Sequence, residues 1–355
     1  MITRSTYTCK YIAQPLLAHT GSGSRYIRIN ISHSNARRCH VSAALVPKLL
    51  RTMLIRQLNY LVALAKERHF GRAAQACNVS QPALSGAIRS IERELGMTIV
   101  QRGQRFEGFT PDGERVLAWA RRALAECEGL RQEARATLGD PAGTLRIGAI
   151  PTTLLIVPLL TEGCLLEFPR MLQEVHTLTA SEILHRIANF ELDVGLSYLN
   201  DERLKDFDAM PLFRERYVLV ARDHTMFEGR STVSWADVAQ LPLCLLTRNM
   251  QSRRGIDAAF NAAGLEVVPR VETDSMMALY AYVRCAGLYG VLPHSVLCLL
   301  EMRQELTAIP LVPELTREIG LVLLHREPAP ALLAAAMSSF QRVDLQTRMD
   351  ALLDC

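Results

Sequence analysis

The sequence predicts a multidomain α/β protein: a small winged helix-turn-helix, one long helix, and two α/β subdomains. Three observations predict it. Residues 54–96 carry apolar positions at helical spacing in three short segments. Residues 111–138 carry one long helical pattern. From Thr144 onward, short apolar runs alternate with helical stretches, the pattern of parallel α/β sheets.

The 355 residues exceed what one hydrophobic core usually takes, so two or three domains are expected. Hydrophobic residues make up 49% and charged residues 21%, ordinary for a globular protein. No apolar run reaches the roughly 18 residues a membrane helix needs, and no membrane partner is expected. The nine cysteines are scattered, odd in number and without a C-x-x-C pair. That argues against a disulfide framework and a zinc site, and a reducing cytoplasm fits best.

The net charge of +4 conceals an asymmetry. Residues 1–52 hold eight basic residues and no acidic ones, and residues 53–110 hold eight basic against four acidic. The remainder holds 24 basic against 32 acidic. A basic module for a polyanion on an acidic body is the implied design.

Residues 1–52 have no sustained periodicity and are rich in Ser, Thr, Arg and His. That composition suits a transit peptide or a nucleic-acid-touching arm. The favoured reading is an over-extended reading frame with translation starting at Met53, because ordered patterning begins abruptly at Leu54. "GSGS" at 21–24 is too little for a phosphate loop.

"IRQLNYLVALAKER" (55–68) reads as an amphipathic helix with Leu58, Leu61, Val62 and Ala65 inward. "GRAAQAC" (71–77) is a second helix, and its Ala73, Ala74 and Cys77 are small enough for close packing. "NVS" turns, Ser80 caps, and Pro82 sits in the first turn of a third helix, where its missing N–H costs nothing. Leu84, Ile88, Ile91 and Leu95 form the buried stripe of that helix. Two short helices joined by a tight turn make a helix-turn-helix. "MTIVQRGQRFEGFT" (97–110) reads as a hairpin wing with Arg102 and Arg105. Thr110 caps the long helix, whose Leu117, Ala120, Leu124, Cys127, Ala134 and Leu138 follow a 3-4 spacing. Such a seam is expected to pair with a copy of itself. "GDPAG" (139–143) is a hinge.

Beyond it, strands are expected at 144–149, 172–178, 192–198, 216–221, 242–247, 268–273, 290–293 and 318–324. The chain is expected to leave the first subdomain near Phe213 and return near Thr316. This gives 53–110 as the DNA-binding module, 111–138 as the dimerisation helix, 144–213 with 316–342 as one subdomain, 214–315 as the other, and 343–355 as a tail.

Gln81, Ser85 and Arg89 lie four residues apart on the face expected opposite the buried stripe, near the helix N-terminus. Gln bonds bidentately to adenine, Arg to guanine or a phosphate, and Ser to either. With the preceding turn, the basic surplus and the arginine-bearing wing, the pattern points to double-stranded DNA rather than to a merely solvated face. Arg72, Ser80, Gln81, Pro82, Ser85, Arg89, Arg102 and Arg105 are the expected DNA-facing residues.

"FGRAAQACNVSQPALSGAIRSIERELG", followed by the wing and "TPDGE", resembles the N-terminal domain of LysR-type transcriptional regulators. The resemblance covers the chain from Met53. It implies a dimerisation helix and a two-subdomain effector module like a periplasmic binding protein of type 2. It implies a homodimer or homotetramer. Gly86 departs from the family, which commonly carries a long polar or basic side chain there. A glycine also weakens the helix by roughly 1 kcal/mol relative to alanine.

The resemblance further implies a ligand cleft between the subdomains. Strand ends nominate its lining: Thr152 and Thr153 after the first strand, Tyr198 near the crossover, Thr247 and Gln251 entering the second subdomain, and Thr273 and Ser275 before another helix. Each hydroxyl has a plain helix cap as its alternative role. Donors at helix N-termini favour a small anion.

No catalytic motif of the H-E-x-x-H, G-x-S-x-G or Walker type occurs, and His224 and His294 stand alone. Neither cofactor, metal nor enzymatic activity is expected. Cys164, Cys285 and Cys298 are read as inert core thiols rather than oxidant sensors. A periplasmic solute-binding protein, which needs no recognition helix, and a DNA-binding domain fused to an enzyme are the alternatives.

Overall fold

The structure is a computed structural model that describes residues 55–103, 106–137, 141–222, 227, 229–298 and 306–353. The expectations for residues 1–52, Arg105, Leu138, residues 139–140 of the hinge, and His224 lie outside the described residues. The described residues fall into two compact units that part between Leu117 and Ala118.

The first unit contains α1 (Ile55–Glu67), α2 (Phe70–Ala76) and α3 (Gln81–Leu95), then a hairpin of β1 (Val100–Arg102) and β2 (Phe106–Phe109). The strands are antiparallel, with Val100 opposite Phe109. The stripe Leu84, Ile88 and Ile91 is wholly buried beside Leu61, Leu64 and Ala73. Each of these leucines and isoleucines contributes roughly 1.5–3 kcal/mol by leaving water. On α1 the buried set is Tyr60, Leu61 and Leu64, while the expected Leu58, Val62 and Ala65 are half-buried. The inward face is therefore rotated by a residue, because the bulky Tyr60 is taken into the core.

Caps fix the turns. His69 Nδ1 accepts the N–H groups of Gly71 and Arg72 at 3.1 and 3.3 Å. Ser80 Oγ accepts the Ala83 N–H at 3.4 Å. Gly96 ends α3 in the left-handed region (φ 67°), a conformation only glycine adopts without cost. Glu92 Oε1 then accepts the N–H groups of Ile99 and Val100 at 2.9 and 3.1 Å and ties the wing to α3.

Helix α4 (Pro111–Ala136) begins under a Thr110 cap, whose Oγ1 accepts the Gly113 N–H at 2.9 Å. Its expected seam is partly consumed within one chain: Leu117 and Ala120 are each 2% exposed. Trp119 and Leu130, at 69% and 73%, are the large apolar side chains left in water.

The second unit contains β3 (Gly143–Ala149), α5 (Val157–Glu167), β4 (Met171–Thr177), α6 (Ala180–Ala188), β5 (Val194–Tyr198) and β6 (Asp208–Ala221). Then follow β7 (Val233–Ser234), α7 (Trp235–Ala239), β8 (Leu243–Leu246), α8 (Gln251–Ala262), β9 (Val271–Thr273), α9 (Met276–Ala286) and β10 (Tyr289–Pro293). The described chain continues with a 3-10 turn (His294–Cys298), β11 (Thr307–Val312), β12 (Thr316–Leu323), α10 (Ala331–Phe340) and α11 (Leu345–Asp350).

The sheet is mixed rather than purely parallel. β3 pairs parallel with β4 and β5, and β8 pairs parallel with β9 and β10. β6 is antiparallel to its partners and passes through both halves. Residues 208–216 pair with β12, whereas 217–221 pair with β10 or β11. Separate apolar clusters form on the two sides, one around Ile147, Leu196 and Leu321, another around Leu219, Leu245 and Val291. The segment 343–355 is not a loose tail: Leu345 and Met349 of α11 are buried in the first cluster.

Candidate functional site

On α3 the exposed residues are Gln81, Pro82, Ala83, Arg89, Arg93 and Glu94. Ser85 is half-buried at the rim of the stripe rather than opposite it. At 100° per residue Arg93 shares a face with Arg89, and sequence reasoning missed it. Its Nε donates to the Arg89 carbonyl at 3.4 Å, which lays it along the helix. Arg72 is exposed, but its guanidinium pairs with Glu67 at 3.4 Å and so has a second role in joining α1 to α2. Ser80 and Pro82 open the helix, one as cap and the other in the first turn. Arg102 lies in β1 opposite Phe106. Around Gly86 nothing lies within 4 Å of where a Cβ would stand. This surface presents amide, hydroxyl and guanidinium donors on a rigid helix, the equipment of major-groove readout.

The second site is the place where β6 crosses between the halves of the larger unit. Thr152 Oγ1 lies 3.3 Å from Tyr198 Oη, and Tyr198 Oη lies 3.3 Å from Tyr217 Oη. Ser295 Oγ is 3.2 Å from Glu215 Oε1 and 3.4 Å from the Thr152 carbonyl. All five residues are buried. Desolvation raises both tyrosine hydroxyls well above their usual range, and it pushes the Glu215 carboxyl up to about 8. Glu215 is therefore a neutral acid at pH 7. Nearby, His294 Nδ1 accepts the Arg216 N–H at 3.0 Å, and burial lowers that imidazole to about 4.

Several expected contacts have internal roles. Thr153 is fully buried and donates to the Ile150 carbonyl at 3.1 Å. Helix α5 opens at Val157 rather than at Thr152, because residues 151–156 form successive turns; the expected N-terminal donors beside Thr152 are absent. Ser275 caps α9, accepting the Ala278 N–H at 3.3 Å. Thr247 and Thr273 do meet at the carboxyl ends of β8 and β9, where the Thr247 N–H donates to the Thr273 carbonyl at 3.0 Å. Gln251 begins α8, whose N-cap, Met250, supplies no side-chain acceptor. Behind it Arg253 is wholly buried, paired with Asp257 and Glu272 at 2.7 and 2.6 Å. Arg253 reads from the sequence as a surface or salt-bridged residue rather than a ligand contact, and it is salt-bridged. Glu215, Tyr217 and Ser295 escaped sequence reasoning, because nothing in their local sequence marks a buried site.

Among the described residues no group of three or more His, Cys, Asp or Glu could hold a metal ion, and no described helix is long and apolar enough to cross a membrane.

Comparisons with known proteins place both units in one family. Residues 55–114 match the model of the bacterial regulatory helix-turn-helix protein, lysR family, and residues 138–344 match the LysR substrate binding domain. The chain is 33% identical over 276 residues to the DNA-binding transcriptional dual regulator OxyR of Escherichia coli K12, covering 76% of this chain and 89% of that protein. Among solved structures, a full-length OxyR cysteine-to-aspartate variant from Pseudomonas aeruginosa superposes with a TM-score of 0.66 at 25% identity, over 83% of this chain and 99% of that one. The LysR-type regulator CbnR bound to its target DNA shares the fold, with a TM-score of 0.58 at 22% identity, over 82% of this chain and 100% of that one. The chain belongs to the LysR family of DNA-binding transcription regulators, which are not enzymes.

Proposed function

We propose that the protein reads an operator through α3 and the wing and answers to a small anionic effector held at the junction where β6 crosses the larger unit. Gln81, Ser85 and Arg89, joined by Arg93, are the base and phosphate contacts of α3. Arg72, Ser80 and Pro82 position it, and Arg102 and Arg105 serve the backbone from the wing. At the junction Thr152 and Tyr198 lie on one side, while Thr247, Gln251 and Thr273 lie on the other beside the uncapped start of α8. Ser275 supports this set through its helix cap. The observation that carries the reading is the buried hydroxyl network of Thr152, Tyr198 and Tyr217, built at the one strand both halves share. A buried polar network with an unpaired member, as Glu215 Oε2 is here, costs stability, which disfavours a purely structural role for it.

Relatives carry the name hydrogen peroxide-inducible genes activator. Two of the described thiols, Cys164 and Cys244, do not favour oxidation as a signal, whereas Cys285, expected in the core, is exposed and Cys298 is half-buried. Cys164 and Cys244 are buried, and desolvation raises both thiols, Cys244 to about 11. The reactive species is the thiolate, which burial suppresses. The six described cysteines are all unpaired by disulfides.

Pairing of two copies is assigned to α4, with a corrected seam. Trp119, Ala123, Leu130 and Ala134 share one stripe at helical spacing, and its two large members are exposed. Two joined copies place two recognition helices on successive half-sites. Cytoplasmic location follows from this role.

The test is a thermal-shift screen of small anions on the wild type and on Thr152→Val, together with footprinting of the DNA upstream of the gene. Stabilisation of the wild type that Thr152→Val weakens supports the junction. Equal stabilisation of both makes this threonine a structural group only.

A further inference from the structure

Arg317 stands at the start of β12, directly across from Glu215 of β6. Its guanidinium lies against α8 at Gly255, where an added Cβ would come within 2.7 Å of Nη2. Glycine at 255 is what allows the arginine to lie so close to the first turns of α8. Although half-buried, Arg317 makes no hydrogen bond or ion pair to any described residue. It acts electrostatically on Glu215, Tyr198 and Tyr217, and all three are uncharged at pH 7 and so do not neutralise it. The Glu215 carboxyl is wholly buried; Oε1 faces Ser295, and Oε2 has no partner. Its proton stays on at pH 7 because desolvation outweighs the hydrogen bonding of Ser295 and Tyr217 and the weaker attraction of Arg317.

The surrounding charges leave the cation uncompensated. Tyr198 comes from β5, Tyr217 from β6, Ser295 and the neutral His294 from the 3-10 turn, and Arg317 from β12. On α8, Arg253 is taken by Asp257 and Glu272, and Arg254 acts on Asp201. An arginine beside a helix N-terminus is repelled by the positive end of the dipole. A half-buried guanidinium held in that place without a counter-ion is arranged to receive one.

We infer that Arg317 accepts the negative charge of a small anionic effector, a carboxylate or an inorganic oxyanion, and that Glu215 must keep its proton for the anion to enter. Ionised Glu215 would neutralise Arg317 and repel the incoming charge. Effector affinity therefore falls as pH rises through the titration of Glu215, and a neutral isostere at 215 abolishes that fall. This inference rests on the junction being the effector site.

The test uses the full-length protein, with acetate, benzoate, sulfate and phosphate titrated at constant ionic strength at pH 7 and pH 9.2, read by thermal shift and calorimetry. At least one of these anions is expected to stabilise the wild type at pH 7 and to bind roughly tenfold more weakly at pH 9.2, as linkage to one proton requires. Arg317→Gln loses that binding at both pH values, Arg317→Lys keeps part of it, and Glu215→Gln binds equally at both. Circular dichroism of each variant establishes that it is folded. Binding that survives Arg317→Gln overturns the inference but leaves the junction standing if Thr152→Val still weakens it. No stabilisation of the wild type by any of the four anions overturns both.

Discussion

The recognition helix and the β6 junction solve opposite problems. On α3 the apolar side chains are buried and the chemistry faces water, so function and stability use separate faces. At the junction the chemistry itself is buried: Thr152, Tyr198, Glu215, Tyr217 and Ser295 are all removed from solvent. Function on α3 can be deleted at little cost to the fold. The buried polar groups of the junction cost stability, and that cost depends on pH.

The largest expected effect comes from Ile88→Ala. It removes atoms from a wholly buried site and should destabilise the small unit by roughly 2–5 kcal/mol, measured by denaturant unfolding. A loss under about 0.5 kcal/mol would mean that the stripe is not the core of that unit.

The junction gives the next effect. Glu215 is raised from its ordinary 4.5 to about 8 in the folded chain. The unfolded chain therefore sheds this proton first, and stability falls with pH by roughly 1.4 kcal/mol per unit between these values. His294 acts oppositely: lowered from 6.5 to about 4, it costs stability as pH falls through that window. The two offset below pH 6.5, and from about pH 6.5 to 8 the Glu215 slope is joined by a decline of the same sign from the exposed His325, which Asp208 holds above its ordinary value. Glu215→Gln should flatten the melting temperature across that window. A parallel decline in both proteins would show that Glu215 is not the group responsible.

The contrast also separates what could be read from the sequence. Helical periodicity exposed α3 because its apolar stripe and its caps are local features, and Ser80, Pro82 and Gly96 sit within one element. The alternation of strands and helices likewise announced the α/β unit. Ser85 is expected opposite the core, but at 100° per residue it lies about 90° from the centre of the stripe, so helical geometry itself puts it at the rim, where it is half-buried. The junction was least legible. Thr152, Glu215 and Ser295 meet across 63 and 80 positions of sequence, and Arg317 is brought to Glu215 by strand register. Thr153 and Ser275 show the converse failure, because a hydroxyl after a strand reads the same whether it serves a ligand or its own backbone.

Smaller effects refine the picture. Leu130→Glu should dissociate the oligomer in sedimentation without lowering the melting temperature of the isolated chain, since Leu130 is exposed. Unchanged sedimentation would remove α4 from the interface. Gly86→Ala should stabilise the small unit by roughly 1 kcal/mol, because the helix gains propensity and the added Cβ meets nothing. A destabilisation would point to a contact that the open space at Gly86 does not provide for.

The central claim is that α3 reads DNA while the junction senses, each on its own unit. Fluorescence anisotropy of Gln81→Ala and Tyr198→Phe on the upstream operator and on a scrambled duplex tests it most directly. The account predicts that Gln81→Ala loses roughly 10–100-fold of specific affinity, the worth of one bidentate base contact, while its scrambled-duplex affinity is unchanged. Tyr198→Phe should bind both duplexes like the wild type. Full operator affinity in Gln81→Ala, or an equal loss in Tyr198→Phe without effector, would contradict it.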